Sequence, residues 1–75
     1  MRQEIFIRDD FIKLGQALKL SGLADSGVEA KDLIMEGLVK VNGETETRRG
    51  KKCVPGDVIS LNDEEVIIER KSNDH

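Results

Sequence analysis

Between Gln3 and Arg8 polar and apolar residues alternate, with Ile5 and Ile7 on one face and Phe6 on the other, which predicts a short strand. Asp9 or Asp10 then offers a side chain to the first free amides of a helix over about residues 10–20. On that helix Phe11, Leu14, Ala17 and Leu18 share one side, while Lys13, Gln16 and Lys19 occupy the opposite arc. Ser21-Gly22 ends it, and Leu23 and Ala24 lead to Ser26 and Glu29, whose spacing is that of a capping box in which each side chain satisfies the other's backbone amide. A second helix runs from there to about Glu36, closed by Gly37 in the left-handed conformation. The two helices make a helix-turn-helix unit whose shared apolar side is Leu14, Leu18, Leu23, Ala30, Leu33 and Ile34.

The period changes to two at Val39-Lys40-Val41, and Asn42-Gly43 supplies the two positive-φ residues of a tight hairpin turn. Beyond the hairpin, Arg48, Arg49, Lys51 and Lys52 place four cations around a flexible Gly50, and Pro55-Gly56-Asp57 turns the chain again. Residues 57–61 and 65–70 read as two further strands separated by a turn at Asn62-Asp63-Glu64. The expected fold class is α+β: a compact helix-turn-helix packed on a small, mostly antiparallel sheet. Residues 1–71 form a single domain on this reading, and 72–75 form a flexible polar tail.

Composition narrows the picture. The chain has 75 residues, too few for a second core, and its apolar stock is twenty Ile, Leu and Val with two Phe and no Trp or Tyr. With one cysteine, Cys53, neither an internal disulfide nor a multi-cysteine zinc site can form, which suits a reducing, cytoplasmic setting. No stretch is apolar enough to span a membrane. The formal charge of -3 at first argues against a polyanionic partner. The distribution reverses that: residues 48–52 hold four cations and no carboxylate, while Asp63, Glu64, Glu65 and Glu69 gather near the C-terminus. In the second helix Glu29, Asp32 and Glu36 form one acidic row, and Lys31 lies away from it, flanked by Gly27, Val28, Ile34 and Met35.

Enzymatic chemistry finds no support in these residues. The single histidine, His75, is the last residue, so a serine or cysteine nucleophile has no held imidazole beside it. No phosphate-cradling glycine loop is present, and the acidic row lacks the further ligands that a metal would need. No cofactor and no catalytic residue is expected.

The helix-turn-helix followed by Glu36-Gly37-Leu38-Val39-Lys40-Val41-Asn42-Gly43, and later by Pro55-Gly56-Asp57-Val58-Ile59, resembles the alpha-L RNA-binding domain of the ribosomal protein S-four type. It is most similar to the stand-alone bacterial version of the YbcJ/YaaA type. The resemblance covers roughly residues 11–61 and implies an RNA-binding face built from the two helices, the hairpin and the adjoining loop. Carried over by position, it implies that Lys13, Lys31, Lys40 and Asn42 belong to that face. Two departures stand out: Gly27 replaces an arginine common in the family, and Gly15 replaces an acidic residue.

With both phenylalanines assigned to the core, no aromatic platform is left for stacking splayed bases, so a folded RNA read through phosphates and 2′-hydroxyls is the expected ligand. The expected contact residues are Lys13, Gln16, Lys31, Lys40, Asn42, Arg48, Arg49, Lys51 and Lys52, with Arg48 and Arg49 able to grip phosphates bidentately. The implied partners are structured RNA, ribosomal RNA above all, and the ribosome or its assembly factors, met by a monomer. The competing reading is a protein-interaction adaptor whose basic loop meets an acidic partner.

Overall fold

The computed structural model describes residues 2–71, so the expected tail, His75 included, lies outside the described residues. In chain order the elements are β1 (Arg2–Ile7), β2 (Ile12–Lys13), α1 (Leu14–Ser21), α2 (Gly27–Met35), β3 (Val39–Val41), β4 (Glu44–Thr45), β5 (Lys52–Cys53), β6 (Val58–Leu61) and β7 (Glu64–Arg70). Five strands form one sheet in the order β1-β7-β6-β3-β4, and β2 pairs with β5 in a separate two-stranded ribbon. Among the described residues only the β1–β7 pairing is parallel; it brings β1 beside β7.

Alternation decides which sheet face is covered. Ile5 and Ile7, Val39 and Val41, Ile59 and Leu61, and Val66 and Ile68 point to one side, where Leu14, Ala17 and Leu18 of α1 and Ala30 and Ile34 of α2 close over them. Each fully buried aliphatic side chain contributes about 1.5–3 kcal/mol relative to exposure, so a chain this short depends on every one. Leu23 and Leu33 pack at the margin of the same cluster, completing the shared apolar side expected of the helices. Phe6, assigned to the core from sequence, is 55% exposed: it alternates with Ile5 and Ile7 and so falls on the uncovered sheet face.

The turns follow their residues. Asn42 and Gly43 take φ of 53° and 85° and join Val41 to its partner Glu44. A second two-residue turn, Asn62 (φ 56°) and Asp63, joins Leu61 to Glu64, so β7 starts one residue earlier than the sequence suggests. Ser26 Oγ accepts from Glu29 N at 3.1 Å as expected, but the Glu29 carboxylate reaches past Ser26 to Asp25 N at 2.7 Å. Gly37 closes α2 at φ 78°.

The first helix departs most from expectation. It begins at Leu14 instead of near residue 10, and neither Asp9 nor Asp10 caps it. Ile12 and Lys13 are extended and pair with Cys53 and Lys52, which buries Ile12 and Cys53 together. The orphan amides at the helix start are satisfied by the basic loop instead: Leu14 N donates to Lys51 O at 2.8 Å and Gly15 N to Arg49 O at 3.0 Å. The loop at residues 48–52 is therefore anchored to α1 at both ends of its turn rather than free about Gly50. Phe11, expected on the buried side of that helix, precedes it and is 37% exposed.

Candidate functional site

The pairing of β2 with β5 sets the position of the basic residues. Because loop carbonyls cap α1, Arg49 and Gly50 lie against the first turn of the helix, and a cleft of about 360 Å³ opens between them, lined by Lys13, Gly15, Gln16, Lys19, Gly27, Arg49 and Gly50. Three cations thus face one hollow. None of the three forms an ion pair with a carboxylate among the described residues. Lys13 also stands directly opposite Lys52 across the ribbon, an arrangement of like charges that costs stability unless an anion joins them.

Glycines line part of the cleft, and a Cβ at two of them would make only ordinary van der Waals contacts. A side chain at Gly15 would meet Cβ and O of Arg49 at 3.6 Å, and one at Gly27 would come 4.0 Å from Lys19 Cδ. Gly27 lies in the cleft wall, where a longer side chain would fill part of the space.

A neighbouring groove of about 480 Å³ is lined by Arg48, Gly50, Lys51 and Lys52. Arg48 differs from the others there because Glu46 holds it: Nε donates to one carboxylate oxygen at 2.9 Å, Nη2 to the other at 3.2 Å, and the Arg48 amide adds a third bond. The hydrogen bonds from Arg48 keep the Glu46 carboxyl down at about 2, and the same pair raises the Arg48 guanidinium. Lys52 carries its ammonium 4.8 Å above the centroid of the Phe11 ring.

The remaining predicted contact residues lie apart. Lys31 sits one helical turn beyond Gly27, so it continues the same edge of α2 without lining the cleft, and the flanking Val28 and Met35 are exposed. Lys40 faces a different groove, with Leu38, Ser60 and Glu65 among its walls. Asn42 is engaged within the fold: Nδ2 donates to Asp57 Oδ1 at 3.0 Å and Oδ1 accepts from Val58 N at 2.9 Å. Lys19 is the cleft residue missing from the predicted contacts, although it shares the outer arc of the helix with Lys13 and Gln16. Burial pushes the Cys53 thiol up to about 11, so it is a protonated part of the core. No helix among the described residues is long and apolar enough to cross a membrane.

A model of the S4 domain matches residues 5–69. A probable ribosome maturation protein, RlbA, of Bacillus subtilis is 43% identical over 61 residues, which are 81% of this chain and 86% of that protein. The putative RNA-binding protein YbcJ of Escherichia coli is 46% identical over 50 residues, 67% of this chain and 71% of the other. The solution structure of YbcJ from E. coli, described as revealing an alfa-L motif involved in RNA binding, superposes with a TM-score of 0.66 at 35% identity, covering 91% of this chain and 85% of that one.

Proposed function

The chain belongs to the S4 domain family, and on that basis we propose that it binds structured RNA, with the cleft between α1 and the basic loop as the centre of the interface. The observation that carries this reading is the convergence of Lys13, Lys19 and Arg49 on one hollow with no carboxylate paired to any of them among the described residues. A fold that leaves cations gathered and uncompensated favours a polyanion, and phosphate is the anion that several such charges suit together. Arg49 offers a planar fork to a phosphate, the lysines act as point charges, and Gln16 can exchange hydrogen bonds with a 2′-hydroxyl. Lys51 and Lys52 extend the contact along the loop, and Lys31 extends it along α2. Lys40 and Asn42 fall outside it.

The RNA is ribosomal in this proposal, and the process is maturation of the ribosome in the cytoplasm. Support comes from the B. subtilis relative named as a probable ribosome maturation protein.

Titrating the protein with a structured RNA at several salt concentrations tests the interface. With about five groups on phosphates, log K falls with log salt at a slope of roughly −3.5 to −4.5. Replacing Lys13, Lys19 and Arg49 together by Ala should flatten the slope by about 2–3 and weaken binding for every RNA tried. A salt-independent affinity, or a triple variant that binds as tightly as the parent, overturns the reading. Crosslinking in cells followed by sequencing of the attached RNA tests the ribosomal part separately.

A further inference from the structure

We infer that the hollow beside Phe11 receives one unpaired base of the bound RNA, guanine by preference. The inference rests on the RNA-binding reading and goes beyond it by naming the feature that the RNA must present.

The ribbon of β2 and β5 has two faces. Ile12 and Cys53 point inward and are buried. By the same alternation Lys13 and Lys52 point outward, and the exposed Phe11 and Val54 adjoin them at that end of the ribbon. A partly exposed aromatic ring set among cations is how proteins hold an unstacked base while neutralising its phosphates. Lys52 covers part of the ring with its ammonium, yet Phe11 remains 37% exposed and forms a wall of a hollow of about 450 Å³.

The other walls of that hollow are Asp9, Asp10, Ile12, Lys13 and Gln16. Lys13 and Gln16 also line the cationic cleft, so the two hollows are adjacent and a single nucleotide can place its phosphate in one and its base in the other. Their chemistry divides accordingly. Cations gather in the cleft, whereas the hollow beside it holds two carboxylates that would repel a phosphate but accept N–H donors from a base edge. Asp10 faces Arg70 at 3.8 Å, while Asp9 forms no ion pair among the described residues. Guanine is the base that presents two N–H groups side by side on its Watson–Crick edge, matching the two oxygens of a carboxylate. An Asp9 carboxylate beside a stacking ring therefore selects guanine over adenine, cytosine and uracil.

A fully paired hairpin RNA and four otherwise identical hairpins, each carrying one unpaired nucleotide (G, A, C or U), provide the test. The parent protein should bind the G form about fivefold or more tightly than the fully paired form. Phe11→Leu, which keeps an apolar side chain but removes the ring, should lose that advantage while binding the paired hairpin as before and melting near the parent temperature. Asp9→Ala should keep the gain from an unpaired base but lose the preference for G. Equal affinity of the parent for paired and unpaired forms overturns the inference while leaving the RNA-binding reading intact. So does a loss in Phe11→Leu that is the same for both forms. Failure of the parent to bind any of these hairpins removes the RNA-binding reading, and the inference with it.

Discussion

Two regions of the molecule carry polar residues of the kind that bind RNA, and the fold treats them in opposite ways. At the tip of the β3–β4 hairpin, Asn42 gives both ends of its amide to Asp57 and Val58, and so ties the hairpin to the turn before β6. At the cleft, Lys13, Lys19 and Arg49 are brought together and left without carboxylate partners among the described residues. The difference teaches that residue type alone does not mark a site. A polar group whose valences are filled by the fold supports the fold, and one that is held in place with valences open is available to a ligand.

The largest effect that would sharpen this contrast is expected at the hairpin. Asn42→Ala removes two side-chain hydrogen bonds and forces a residue with an ordinary Cβ to hold φ near 53°. The loss should be about 1–3 kcal/mol, read as a melting temperature lower by roughly 4–8 °C for each kcal/mol. Affinity for RNA, measured well below that melting point, should stay within about twofold. A variant that melts like the parent but binds RNA tenfold more weakly would place Asn42 in the interface and erase the distinction.

Much of this arrangement is legible in the chain, and what is not has a physical cause. Asn42-Gly43, Ser26 with Glu29, and Gly37 are local signals, each fixing a backbone conformation by its own side chain or by the lack of one, and the structure places turns and helix ends at them. The pairing of Ile12-Lys13 with Lys52-Cys53 is a different matter. A two-residue strand has no period to detect, and its partner lies forty residues away, so the apolar spacing of Phe11, Leu14, Ala17 and Leu18 reads as one helix running through it. That single confusion starts α1 too early, assigns its capping to Asp9 or Asp10, and moves Phe11 into the core. The cationic loop is legible as charge, but its attachment to α1 through the carbonyls of Arg49 and Lys51 is not, since backbone acceptors carry no sequence signature. Lys19 was within reach: the same helical arc that holds Lys13 and Gln16 includes it.

A smaller effect concerns the wall of the cleft. Gly27 opens α2 where a Cβ would have only Lys19 Cδ at 4.0 Å, so a side chain can leave the backbone there without a clash at its first carbon. Gly27→Arg adds a cation to the cleft wall and supplies the arginine that the family resemblance leads one to expect there. The salt dependence of RNA binding should steepen by about 0.7–0.9 in slope, with tighter binding at low salt and little change in stability. An unchanged slope would mean that bound phosphates do not reach this wall, confining the interface to Lys13, Arg49 and the loop.

The smallest expected effect lies between the two regions, at Glu46. This carboxylate sits just past β4 and resembles the hairpin in its engagement: it is saturated by Arg48, and its pKa is held at about 2 instead of the ordinary 4.5. A folded-state pKa below the unfolded one means that the pair stabilises the protein fully above about pH 4.5, and that this contribution disappears as pH falls through about 2. Arg48 is 71% exposed while the Glu46 side chain is 15% exposed, so water screens the pair mainly from the arginine side, and its modest stabilisation is best read by difference. The Glu46 carboxyl carbon should titrate by NMR with a midpoint near 2, and the melting temperature of Glu46→Gln should approach that of the parent as pH drops from 5 to 2. Arg48 itself then separates the alternatives. If it serves the fold, Glu46→Gln leaves RNA affinity at pH 7 unchanged; if it is an interface cation restrained by its neighbour, freeing it tightens binding. A midpoint near 4.5 would show that the pair does not hold in solution and would return Arg48 to the group of open cations.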